Sequence, residues 1–253
     1  MKNFRQNIFL LIISFIFSQN FSGNIGLMGQ FPQGEFKDEG VTTGFGIDIN
    51  GMYYPVNELA FGLNLGGSRY GYSERQINFN YYTDLVKVTE ETSNNIGFGH
   101  LFFRIIPFRG NIKPYIEGLF GLKNLDTTTK LYSNSYNCDS DPSYGDYDDC
   151  QIAESTNSSD NALSYGVGAG LEIKLFSKVK FTQYKVEVEQ SSNGNLSFFM
   201  NGRYLWGGEA QYLKKGDIEY SDPEDGPVET TFNWNESKTD LLQLTIGVSF
   251  HFK

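Results

Sequence analysis

Between Leu163 and Leu175 the chain sorts its side chains into two rows with a period of two residues. Leu163, Tyr165, Val167, Ala169, Leu171, Ile173 and Leu175 form one row, and Ser164, Gly166, Gly168, Gly170, Glu172 and Lys174 form the other. That period is the geometry of a β-strand, whose successive side chains point to opposite faces. The second row limits the choice of fold. A strand face in water usually carries Lys, Thr, Glu and Arg, and isolated glycines there only weaken the strand. Small residues belong where opposite walls come close together, as inside an eight-stranded barrel. The large apolar row is then left to point outward, and the medium that accepts it is lipid.

The same division recurs along the chain. Ile25, Leu27 and Phe31 mark a first strand. Phe45, Ile47, Ile49 and Tyr53, set against Gly44, Gly46, Asp48 and Asn50, mark a second, and Leu59, Phe61, Leu63 and Leu65, set against Ala60, Gly62, Asn64 and Gly66, a third. A fourth carries Leu101, Phe103 and Ile105 opposite His100, Phe102 and Arg104, and a fifth carries Ile116, Phe120 and Leu122, with Leu119 on the polar side. The segment 163–175 is the sixth, Leu196, Phe198, Met200, Tyr204 and Trp206 make the seventh, and Leu242, Leu244, Ile246, Val248, Phe250 and Phe252 the eighth. The expected fold is all-β, an eight-stranded antiparallel up-and-down transmembrane β-barrel. Tyr53, Tyr54, Tyr70, Tyr72, Tyr204, Trp206, Phe250 and Phe252 fall toward strand ends, where the aromatic girdles of such a barrel are expected.

Connection lengths follow the same plan. The intervals after strands two and four are short, while long polar loops are expected near 73–93, 127–160 and 214–238. Only the interval after strand six, near 176–194, breaks the alternation, and there Tyr184, Val186 and Val188 could extend a hairpin. Short turns at one end, long loops at the other and an even strand number are the plan of membrane barrels. Together with 34–41, the long loops carry a net charge of -14 against -10 for the whole chain, so one end of the molecule is acidic. Such acidity disfavours nucleic acid and anionic surfaces as partners.

Lys2 and Arg5 precede the apolar run Ile8 to Phe17, and Ser18 follows it. This is the pattern of a secretory signal peptide over 1–18, leaving 19–253 as the barrel domain. At the other end, Thr245, Gly247, Phe250 and Phe252 resemble the C-terminal insertion signal of bacterial outer-membrane barrels, with Lys253 after the last aromatic as a small departure. Over 19–253 the chain is similar to the family of small eight-stranded outer-membrane barrels typified by the OmpA transmembrane domain and OmpX. Lys113-Pro114-Tyr115-Ile116-Glu117-Gly118 and Arg203-Tyr204-Leu205-Trp206-Gly207-Gly208-Glu209-Ala210 carry that similarity. It implies an outer-membrane location, with outer-membrane lipid and, during insertion, the barrel-assembly machinery as partners. A monomer is expected.

Arg104, Glu117, Lys123, Glu172, Lys174 and Arg203 stand singly in the small-residue rows and are expected inside the barrel as structural charges. Arg104 and Glu117 lie at nearly equal distances from the Pro107 bend and are expected to meet. Cys138 and Cys150, in the longest loop, are expected to form a disulfide in an exported protein. Around them stand Asp139, Asp141, Asp146, Asp148 and Asp149, which could bind Ca²⁺ through carboxylate oxygens. No EF-hand spacing is present, and a solvated acidic loop is the favoured reading. No cofactor is expected. His100 has no Ser or Asp companion in its own strand and His251 sits at the chain end, so catalysis is not expected. These features favour an envelope-integrity or surface-interaction role, with an unknown extracellular partner. Two alternatives stand beside it: a secreted lipocalin-like barrel holding an apolar ligand, and a lipid-modifying outer-membrane enzyme.

Overall fold

Period-two patterning puts one apolar and one small or polar row on each strand, and in three dimensions these rows become the outside and the inside of a closed wall. The computed structural model describes residues 21–78, 87–133, 151–176, 178–182, 185–189, 196–221 and 229–252. In chain order its elements are β1 (Phe21–Pro32), α1 (Gly34–Asp38), β2 (Gly44–Val56), β3 (Leu59–Asn78), β4 (Lys87–Ile105), β5 (Ile112–Ser133), β6 (Gln151–Phe176), β7 (Lys178–Thr182), β8 (Lys185–Glu189), β9 (Leu196–Gly207), β10 (Glu209–Tyr212), β11 (Ile218–Ser221), β12 (Glu229–Phe232), β13 (Asn235–Lys238) and β14 (Leu241–Phe252). Strands β1 to β6, β9 and β14 form the barrel, each antiparallel to its neighbour in the series, and β14 pairs back onto β1 to close it. Closure leaves no unpaired edge within the belt, which hydrocarbon requires of any spanning sheet.

The direction of the side chains decides the setting. On β4, Leu101 is 67% exposed and its neighbour Phe102 only 4%. Leu27, Ile47, Leu63, Phe120, Val167 and Ile246 all point out, whereas Asn24, Asp48, Asn64, Ser164, Asn201 and Gln243 are buried inside. A lipocalin-like barrel would need the reverse. On β5 the outward apolar positions begin at Ile112 and end at Leu122, a length that matches the roughly 9–11 residues of a tilted membrane-spanning strand. One step beyond Leu122, Asn124 bonds Asn161 of β6 at 3.1 Å, and Asn95 of β4 bonds Asp126 at 3.0 Å. These outward polar pairs mark the upper limit of the hydrocarbon. Just below it, Tyr165 stacks on Trp206 at 5.7 Å. The chain is a transmembrane β-barrel, and barrels with such a belt belong to outer membranes.

Close approach of the strands explains several interior glycines. A Cβ on Gly46 would lie 1.9 Å from the carbonyl oxygen of Gly67, and one on Gly121 would lie 2.0 Å from that of Gly99.

Strand ends differ from the sequence expectation in three places. The segments 73–93 and 127–160, expected as loops, are strand wherever their residues are described: β3 and β4 pair out to Asn78 and Lys87, and β5 and β6 pair out to Tyr132 and Gln151. Above the membrane both faces are polar, so no alternation marks these strands in the sequence. The backbone ladder and side-chain bonds such as Asn94 to Thr127 at 2.8 Å and Thr92 with Thr129 at 2.9 Å join them instead. The segment 214–238, also expected as a loop, carries β11, β12 and β13, while the hairpin expected after β6 is present as β7 and β8, with Tyr184 outside the described residues. Of the expected girdle, Tyr54 and Tyr70 turn inward: Tyr54 accepts a bond from Ser22, and Tyr70 is 4% exposed. Tyr54 must oppose its neighbour Tyr53, and Tyr70 shares the inward parity of Asn64, Gly66 and Ser68; the register shift between Arg69 and Gly71 changes that parity only beyond it, so that Tyr72 points out. The signal segment 1–18, Cys138, Cys150 and the acids Asp139, Asp141, Asp146, Asp148 and Asp149 lie outside the described residues.

Candidate functional site

Strand register brings the inward charges to one level. Arg104 on β4 faces Glu117 on β5, Glu117 faces Gly168 on β6, and Gly168 faces Arg203 on β9. Gly168 has no side chain, so Glu117 and Arg203 reach each other across it. Arg104 donates to Glu117 Oε2 from Nη2 at 2.7 Å and from Nε at 3.0 Å, while Arg203 Nε donates to Oε1 at 2.7 Å. From its other side Arg203 donates to Asp48 at 2.6 Å and to the side-chain Oδ1 of Asn50 at 3.1 Å. Tyr115 lies under the Arg104 guanidinium, 3.8 Å from ring centroid to carbon, a cation–π contact. The four ionic side chains are almost wholly enclosed, with two positive and two negative charges. Balance of this kind is what makes burial tolerable: each ion is paired and each guanidinium is hydrogen-bonded on more than one side.

The sequence marks Asp48 only as one member of an inward row, and the structure makes it the hub of the network. Asn50 donates to it at 3.1 Å, Gln243 at 2.9 Å, and Asn64 through its side-chain amide. The remaining expected interior residues separate. Lys123 is buried and donates to the main-chain oxygen of Thr239, far from any of the others. Glu172 sits lower, bound by His251 at 2.8 Å and by Lys113 at 3.5 Å. Lys174, on the same strand, is partly exposed. Of the insertion-signal residues, Phe250 and Gly247 line up with Gly23 and Gly26 of β1, and Phe252 pairs with Phe21, so this stretch forms the closing seam.

His100 has the companion that its own strand lacks. Ser164 of β6 lies 2.9 Å from Nε2, and Asn64 of β3 lies 3.3 Å from Nδ1. Asn64 spends its amide on Asp48, which leaves its oxygen for Nδ1–H and lets Ser164 donate to Nε2. An activated nucleophile uses this geometry. Here the serine is 0% exposed and the histidine 1%, with Phe98 packed 5.4 Å from the imidazole, so the hydroxyl is buried among protein atoms.

Above the belt a lid closes the lumen. Leu213 enters the mouth, and its carbonyl oxygen accepts from Tyr70 and from Asn94, both at 2.9 Å. Phe36 of α1 packs edge-on against Tyr212 at 5.0 Å and Tyr70 at 6.2 Å. Val41, Leu125, Ala162, Ala210 and Leu241 complete this apolar cap. Four strands then continue past it. β2 leaves β3 at Arg69, and β9 leaves β6 at Ser164, so β3 to β6 rise as a sheet beyond the membrane. Its face turned outward from the barrel carries Glu91, Ser93, Asp126, Thr128 and Lys130, and Ile152 near the tip of β6 is half exposed.

Among the described residues no group of three or more His, Cys, Asp or Glu could hold a metal ion. No family model and no curated protein matches the chain. Among solved structures it is similar to neisserial surface protein A, at 13% identity and a TM-score of 0.37, covering 93% of this chain and 98% of that one. It is also similar to Ail, the attachment invasion locus protein of Yersinia pestis, at 15% identity and 0.36, covering 92% and 100%. The outer membrane protease OmpT of Escherichia coli aligns at 8% identity and 0.35, covering 92% and 97%.

Proposed function

We propose that this protein is a non-catalytic surface-interaction barrel, a closed membrane anchor whose working part is the sheet of β3 to β6 above the lid. The single observation behind this reading is the edge of that sheet. From Gln151 to Asn161, β6 pairs with β5 on one side, and among the described residues no strand pairs with it on the other. An open strand edge of this length is a template for an added strand, because its backbone groups seek partners. The sequence around it is acidic, so the partner offers an extended segment with basic side chains. A sealed lumen and an inaccessible Ser164 support neither transport nor hydrolysis as the main activity.

The test is a barrel whose hairpins β3–β4 and β5–β6 are cut back to tight turns at the membrane surface. It should still show heat-modifiable gel mobility, while cells displaying it lose adherence to immobilised basic proteins. Unchanged adherence, with increased sensitivity of the cells to detergent, would instead assign an envelope-integrity role.

A further inference from the structure

Across the surface sheet one row of paired residues runs from strand to strand and stops at the open edge. Arg75 of β3 pairs with Glu90 of β4, Glu90 with Leu131 of β5, and Leu131 with Ala153 of β6. Residues paired in this way share a face of the sheet. Glu90 has the parity of Asn94, whose side chain reaches the lid, so the shared face is the one turned toward the barrel axis. Over it stands β12, and Phe232 of that strand lines a groove of about 210 Å³ together with Glu90, Leu131 and Ala153.

The groove has an apolar middle and a polar far end. Leu131 and Phe232 are half-buried, and Trp234 lies 6.1 Å from the Phe232 ring and supports it. At the far end Arg75 donates to both carboxylate oxygens of Glu90 at 3.0 Å, which satisfies that charge within the sheet. At the near end Ala153 contributes only a methyl group and is exposed, so the floor of the groove is bare where it meets the edge.

A strand added to β6 continues the row by one more spacing of about 4.8 Å. Its residue opposite Ala153 points to the face that holds the groove. The residues before and after it point to the other face, where Lys130 and Glu154 lie 3.5 Å apart. We propose that the groove is the side-chain pocket for that one residue and takes a large apolar group: Leu, Ile, Met or Phe. The proposal rests on the strand-addition reading above and narrows the partner to an alternating segment. One apolar residue enters the groove, and the basic residues on either side of it face the acidic surroundings. Where a strand adds to an edge, main-chain bonds hold the segment and pockets for alternate side chains select it. A basic residue in the groove would give up water to meet a Glu90 already held by Arg75.

Fluorescently labelled peptides test this by anisotropy on the refolded barrel in detergent: Lys-Thr-Lys-Leu-Lys-Thr-Lys, and its forms with Ser or Lys at the centre. The Leu peptide should bind about tenfold more tightly than the Ser peptide, the gain expected from burying one apolar side chain. Ala153→Phe fills the groove from an exposed position outside the barrel wall and should abolish that preference. Equal binding of the Leu and Ser peptides to the parent, or tightest binding of the peptide with a central Lys, overturns the pocket and leaves strand addition standing. The peptide Lys-Pro-Lys-Leu-Lys-Pro-Lys reads the other step, because proline removes N–H groups that the ladder needs. If it binds as tightly as the Leu peptide, the edge is not used, and strand addition and the pocket fall together. The same holds if none of the peptides binds.

Discussion

Arg203 and Glu117 meet at 2.7 Å with both side chains 0% exposed, although 86 positions separate them in the chain. The same carboxylate holds Arg104, so one acid serves two guanidinium groups in the middle of the barrel. Removing it would take the carboxylate from Arg104 and leave Arg203 with Asp48 alone. Glu117→Ala should therefore destabilise the barrel by about 3–5 kcal/mol, as expected when one partner of a buried pair is deleted. Urea unfolding in lipid vesicles, followed by gel mobility, measures this. A loss below about 1 kcal/mol would show that the layer is solvated.

Strand spacing makes a second prediction. Gly46→Ala puts a methyl group against the backbone of Gly67, where nothing flexible can yield, and should cost about 1–3 kcal/mol through overpacking. Gly97→Ala meets nothing within 4 Å and should stay within about 0.5 kcal/mol of the parent. Equal effects in the two variants would contradict the register between β2 and β3.

The hydrocarbon belt has a measurable edge. Ile246 is 55% exposed in the middle of β14, and Ile246→Arg should cost about 2–4 kcal/mol of folding into a bilayer. Asn161 lies just past the outermost apolar row of β6, and Asn161→Arg should cost about 0–1 kcal/mol. Comparing the two in vesicles of one lipid locates the interface on the barrel.

Phe36 anchors the lid through Tyr70 and Tyr212 and is 0% exposed. Phe36→Ala should loosen the lid around Tyr212 and Leu213 without opening the barrel wall, because Phe36 packs on the lid and the wall is closed by the β1–β14 ladder. Protease treatment of intact cells should then cleave within 208–221 in the variant and spare those residues in the parent, while heat-modifiable mobility persists in both. Loss of that mobility would mean that the lid helps to hold the barrel closed.

Much of this arrangement can be read from residue order. Leu163 to Leu175, with glycine and serine between, announces a wall that is greasy outside and narrow inside. The inward position of Arg104, Glu117 and Arg203 follows from the same parity. Parity does not say which inward residues share a level, because that depends on strand stagger around the closed ring. Hence Asp48 passed as one polar residue in a row, and Ser164 went unnoticed as the partner of His100. The height of the surface sheet was hidden for another reason. Above the lipid neither face of β3 to β6 is apolar, so Ser73 to Asn78 and Thr127 to Ser133 look like loop.

The amino-acid order alone determined the alternation, the number of barrel strands and the outward direction of the apolar rows, since each follows from the two-residue period of an extended backbone and the water or lipid it meets. Only the closed tertiary structure decided that Arg203 reaches Asp48 and Glu117 together, that Leu213 plugs the mouth, and that, among the described residues, no strand pairs with β6 beyond Ser164 on the side away from β5. Those contacts depend on how far each strand slides past the next before the ring shuts, and that stagger is settled by all eight pairings at once.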